Sequence, residues 1–371
     1  MTNRLDWLDA LRGWAVLGVV TVHAGQAVQC TGITHKITAA GQYGVQLFFI
    51  VSALTISLTY ESHLREFGKS FRSQFAWFIK RYFRIAPLYY LAAIYYPLEQ
   101  YAIHAAGYHY YAITISPGNL AANFLFVHTW IPAANGSVVP GGWSIGVEMF
   151  FYLLVPLIWS VAPVKRRIIL LAVGAIASLL VTILAVKLTT GSYFVPESSF
   201  FYFWFPSQAP VIAIGLIFYF LYGPILRQPR STNSARLCLV GFMVCLLLAL
   251  YCGTLGKAAP VLSPTILAIS FVLLILGLHG WVMNCAVNKF AIALGKISYS
   301  VYIFHFSILD CIRPAMRLTH TDRFGALALL PVLAATLLLT CGLACFSKRI
   351  IEDPSIAFGH RLSRSVATGS R

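Results

Sequence analysis

Ten runs of mostly apolar residues, each about long enough to cross a bilayer, leave this chain little choice but a membrane bundle. They fall at about 10–29, 42–60, 84–98, 143–161, 168–186, 200–222, 237–253, 263–283, 295–312 and 326–346. A soluble domain coats itself with about 25% charged residues. Here 10% of 371 residues are charged and 59% are hydrophobic. The expected fold is therefore an all-α integral membrane protein of about ten transmembrane helices. It reads as one domain over residues 1–360 with a basic tail at 361–371. Asp6 and Asp9 spoil the basic start of a signal peptide, and the apolar run after Arg12 continues far enough to span. The first run thus reads as an uncleaved helix. A shorter stretch, 119–131, contains Asn and His and reads as a helix lying at the outer surface.

The distribution of basic residues orients the bundle. With the N-terminus in the cytoplasm, 21 of the 27 Lys and Arg fall on inside segments. Lys36, Lys187, Lys257, Arg313, Arg317 and Arg323 fall outside, and the long segment 99–142 has no Lys or Arg. This is the positive-inside pattern, with both termini cytoplasmic. A formal net charge of +16 would suggest nucleic acid in a soluble protein, but short clusters between apolar runs exclude that reading here. The eight cysteines show no CxxC pair and no metal-ligand spacing. Cys238, Cys245 and Cys252 fall seven apart and Cys341 and Cys345 four apart, as small apolar filler on helix faces would.

Ionisable groups inside spans are expensive, and each is a candidate functional group. His23 lies in the first span, eleven residues after Arg12. Eleven residues are about three helical turns, so the two share a face, Arg12 at the cytoplasmic end and His23 toward the outer half. Glu148 lies in WSIGVEMFFY, about 7 Å below the outer end of its span and at a depth similar to His23. A carboxylate beside an imidazole fixes its tautomer and suits a general base; it also suits a structural pair bridging two helices. Asp310, near an outer helix end, reads as solvated, as do His104, His109 and His128. Arg81 and Arg84, in FIKRYFRIAPLYYL, are either snorkelling residues at a boundary or a phosphate clamp. His305 lies one turn from Tyr302 and two from Ser298, either lining a pocket or in a hydrogen-bonded cluster.

Six elements, in order, resemble the acyltransferase 3 family of integral-membrane O-acyltransferases over nearly the whole chain, from about residue 5 to 360. LDALRGWAVLGVVTVHAG supplies the opening Arg and His (Arg12, His23), and GVQLFFIVSA supplies Ser52, with Ala53 where the family has glycine. Arg81, Arg84, Ile85 and Pro87 match its basic element. WSIGVEMFFY matches with Trp143, Ser144, Glu148, Phe151 and Tyr152, and LGKISYSVYIFH with Ser298, Tyr299, Tyr302 and His305. IEDP matches the last, with Glu352 and Pro354.

The resemblance implies transfer of an acyl group, most often acetyl, from acyl-CoA to a hydroxyl of a cell-surface polysaccharide or lipid-linked sugar. It implies His23 as general base or acyl carrier and Glu148 as its orienter or as a ligand of the acceptor. Arg12, Arg81 and Arg84 would hold the donor phosphates. Trp143, Ser144, Tyr152, Ser52, Tyr302 and His305 would line the acceptor pocket, with no metal. It also implies a multi-pass protein of the bacterial inner membrane, with polysaccharide-assembly proteins as potential partners. The competing class is a transporter of a lipid-linked or small sugar. Such folds show inverted repeats or broken midplane helices, and no two-fold pattern of this kind stands out here.

Overall fold

The computed structural model describes residues 6–107, 115–193, 195, 199–223, 232–254, 261–281 and 286–369; His109 and Lys257 lie outside them. The described residues form helices α1 (Asp6–Ala27), α2 (Gly32–Ala39), α3 (Gly44–Phe67), α4 (Phe71–Ala105), α5 (Pro117–Phe124), α6 (Trp143–Ser160), α7 (Val164–Thr190) and α8 (Phe200–Phe203). There follow α9 (Phe205–Tyr222), α10 (Thr232–Thr254), α11 (Ser263–Trp281), α12 (Lys289–Lys296), α13 (Ser298–Leu318), α14 (Leu329–Ser347) and α15 (Asp353–Thr368). Their ends follow from local chemistry. The Ser70 hydroxyl accepts from the Ser73 N–H to start α4, and Ser116 accepts from Asn119 N–H ahead of Pro117 to start α5. Gly191, at φ 70°, closes α7.

Among these residues six helical stretches are long and apolar enough to cross a membrane, and a seventh if α12 and α13, bent by 79°, count as one span. The all-α, multi-pass character stands, but this is fewer than ten, for four reasons. Arg12, His23 and Gln26 interrupt α1, and tyrosines with Pro87 and Pro97 lower the hydropathy of α4. The apolar part of α11 is short, Ser263–Leu278, and α12–α13 is broken. Three of these four expected spans (α1, α4 and α12–α13) carry candidate site residues, because chemistry costs hydropathy. The region read as a basic tail is helical to Thr368, with no break at residue 360.

The chain divides into two compact units, residues 1–11, 46–66 and 147–292 in the first and 12–45, 67–146 and 293–371 in the second. In the first, α7 and α10 are apolar all round yet only 11% buried over their most apolar windows, as lipid-facing helices should be. The window of α9 is 61% buried. Ala53, fully buried on α3, faces Gly215 of α9, where an added Cβ would stand 2.8 Å from the Ala53 Cβ. The small residue missing from the α3 motif is thus supplied across the contact, and close helix approach survives.

In the second unit, a core of Ala24, Val28, Cys30, Leu309, Met316 and Val332 ties α1, α13 and α14 together. Tyr299 donates to the Ile85 carbonyl at 2.7 Å and Tyr96 to the Ile303 carbonyl at 2.5 Å, fixing α13 against α4. Ser300 of α13 donates to the buried Glu352 carboxylate, joining two of the sequence motifs.

Candidate active site

In the second unit the site is built on α1 and α13. His23 Nδ1 lies 2.8 Å from the Val19 carbonyl, one turn earlier on α1, and 3.0 Å from His305 Nε2. His305 is fully buried, and its Nδ1 lies 2.8 Å from the Tyr302 carbonyl. Carbonyls only accept, so both Nδ1 atoms carry the proton when the rings are neutral. His305 Nε2 is then an acceptor, and the His23 Nδ1–H is shared between it and Val19. His23 Nε2 keeps its lone pair. The Phe306 ring, with centroids 4.3 Å from His23 and 4.2 Å from His305, packs both imidazoles in place.

Tyr302 extends this cluster to the start of α6. Its hydroxyl donates to the Gly141 carbonyl at 2.9 Å and lies 2.8 Å from Ser144 Oγ, which is itself 3.1 Å from the same carbonyl. Trp143 and Ser144 are buried. Gly141 has φ 72°, and a Cβ there would meet the Tyr302 hydroxyl at 3.0 Å, so glycine is needed for the turn and for the contact.

His128 departs from its expected solvated position. It is fully buried, with Nε2 3.0 Å from the Gly142 carbonyl and its ring stacked on Tyr89 at 5.8 Å. Burial pushes its pKa below the ordinary value. Tyr89 donates to Asn123 at 2.7 Å in the same cluster, which holds the chain entering α6. No motif carried these residues; the His, Asn and Trp within 119–131 were the one available signal. Asp310 is likewise buried, at 2% exposure, and paired with Arg313 at 2.5 Å. Arg313 lies one turn along α13, so the acid has its counter-ion without solvent.

In the first unit Glu148 has its own partners. Ser52 of α3 donates to Oε1 at 2.5 Å and Tyr152, one turn along α6, donates to the same oxygen at 2.6 Å. Among the described residues none donates to Oε2. Residues of two motifs far apart in sequence thus form one polar cluster, Tyr152 buried and Ser52 and Glu148 half-buried.

The basic candidates lie on α1 and α4. Arg81 is 8% exposed, with its guanidinium 5.5 Å from the Trp77 ring centroid, as a cation–π contact requires. Arg84 acts electrostatically on Glu352. Arg12 lies in the second unit with both. Among the described residues no group of three His, Cys, Asp or Glu could hold a metal ion.

The profile of the acyltransferase 3 domain, an acyltransferase domain, matches residues 5–346. Among curated proteins, ORF330 of Acidianus two-tailed virus, named as an acetyltransferase, is 27% identical over 80% of this chain and 80% of its own. The peptidoglycan O-acetyltransferase OatA of Listeria monocytogenes is 23% identical over 94% of this chain, which spans only 55% of that relative's length. No solved structure matches. With the profile covering almost the whole chain and the motif residues gathered into buried polar clusters, this protein belongs to the acyltransferase 3 family and is a multi-pass membrane acyltransferase.

Proposed function

We propose that the protein moves an acetyl group from acetyl-CoA to a hydroxyl of a cell-surface polysaccharide or lipid-linked sugar. The reading rests first on the His23–His305 pair, which leaves His23 Nε2 as a base with its lone pair available. The relative named as a peptidoglycan O-acetyltransferase supports a glycan acceptor. The charge pattern supports both termini cytoplasmic, hence a cytoplasmic donor, and the family resemblance supports a bacterial inner membrane.

His23 Nε2 takes the proton of the acceptor hydroxyl as its oxygen attacks the thioester carbonyl carbon. The carbon–sulfur bond then breaks, and the CoA thiolate takes the proton from the imidazolium. A sugar hydroxyl has too high a pKa to attack unaided, so a base in the transition state is essential. His305 Nε2 and the Val19 carbonyl accept from His23 Nδ1–H throughout and stabilise the positive ring. Glu148, oriented by Ser52 and Tyr152 through Oε1, offers Oε2 to an acceptor hydroxyl. Ser144, Tyr302 and Trp143 shape the acceptor side, and Arg12, Arg81 and Arg84 hold the donor phosphates.

The test is acetyl-CoA turnover and acetyl transfer in membranes holding wild type or His23→Ala at matched expression. Turnover that is lost in the variant supports the reading. Full activity in His23→Ala would remove the histidine from the chemistry, and no turnover by wild type with any glycan acceptor would remove the transfer itself.

A further inference from the structure

The family match stops at residue 346, and α15 lies beyond it. This helix packs along α4 in an antiparallel register that two contacts fix. Gly359 meets Phe83, where an added Cβ would stand 2.6 Å from the Phe83 Cβ, and Gly369 meets the guanidinium of Arg72. Phe83 and Phe358 also meet edge to face, with centroids 5.0 Å apart. The twelve residues from 83 back to 72 thus run beside the eleven from 359 on to 369. Lys80 and Arg81 consequently fall opposite the stretch that begins at His360. The charges of Lys80, Arg81 and Arg364 all act on the His360 ring.

Apolar packing has therefore brought basic groups of two helices together, at a Coulombic cost. Glu352 is buried against Ser300, and Asp353 pairs with Lys348 at 2.9 Å. Arg81 is buried on its tryptophan, whereas His360 and Arg364 are exposed. A firm basic floor with a reachable basic rim suits an anion carrying several charges, which converts the mutual repulsion into attraction.

We infer that α15 completes the donor site, with His360 and Arg364 joining Lys80 and Arg81 to hold the nucleotide phosphates of acyl-CoA. The inference rests on the acyl-CoA reading above and extends its phosphate clamp to a helix that lies beyond the end of the profile match.

The experiment compares acetyl-CoA with acetyl-pantetheine, which has the same thioester but no phosphate, on wild type and the double variant His360→Ala/Arg364→Ala. KM for acetyl-CoA should rise about tenfold or more, the size expected for losing charge-assisted contacts, with KM for acetyl-pantetheine unchanged. Arg364→Lys alone should keep most of the affinity for acetyl-CoA, because the charge remains. Purified protein supplies a reading independent of turnover: adenosine 3′,5′-bisphosphate should bind wild type and bind the double variant at least about tenfold more weakly. Equal changes for both donors, or unchanged KM and nucleotide binding, would overturn the inference even if His23→Ala abolishes transfer. Kinetics in vesicles of phosphatidylcholine alone and with added phosphatidylglycerol separate the two phosphate sources. A defect confined to the anionic vesicles would assign these residues to lipid headgroups and overturn the inference.

Discussion

The histidine of the second unit and the carboxylate of the first are held by different kinds of partner. His23 is held by one backbone carbonyl and one imidazole, both acting on Nδ1, within a setting closed by Phe306. Glu148 is held by two hydroxyls, both acting on Oε1, and is half-buried, as His23 is. In each group the hydrogen-bond partners act on one atom, Nδ1 of His23 and Oε1 of Glu148. The hydrogen-bond partners of each lie inside its own unit. The Val19 carbonyl and His305 hold the His23 tautomer from within the second unit.

Mutations that treat the two halves separately sharpen this contrast. The largest effect is expected from His23→Ala, with acetyl transfer falling about 100-fold or more, the scale of a lost general base. Rates at matched expression check it. Glu148→Gln should cost less, about tenfold, and chiefly in acceptor KM, since the amide still bonds a hydroxyl. A kcat loss equal to that of His23→Ala would instead make the two one catalytic unit.

His305→Ala should lower kcat about tenfold with little change in KM, whereas His305→Gln should recover much of the rate by offering an acceptor to His23 Nδ1–H. Equal loss in both variants would leave His305 a packing residue alone. Ser52→Ala and Tyr152→Phe should each cost only a few-fold, because the remaining hydroxyl still anchors Oε1. Smallest for catalysis is Gly215→Ala, expected to destabilise the first unit by about 1–3 kcal/mol through overpacking on Ala53. Thermal unfolding in detergent checks it, and adding Ala53→Gly should restore stability.

Much of this was legible along the chain because it depends on local pattern. The lipid-facing helices α7 and α10 announce themselves by composition, and Arg12, His23, Ser52, Glu148, Tyr302 and His305 stand in recognisable motifs. The number of spans was less legible, since α1, α4 and α12–α13 give up hydropathy to carry polar groups or bend. Asp310 and His128 were misplaced as solvated for a related reason. The burial of a polar side chain depends on whether a partner is found, and Arg313, Tyr89 and the Gly142 carbonyl are supplied by the folded chain.

By itself, then, the sequence determined the solvent, the helical class and the inventory of reactive groups, because hydropathy, helix length and residue chemistry act over a few turns at most. Tertiary structure alone decided the pairing: His305 on His23, Ser52 on Glu148, and α15 on α4. Those pairs join positions far apart in the chain. Their geometry follows from which helix faces pack, with Gly215 opposite Ala53 and Gly359 opposite Phe83 letting the helices close.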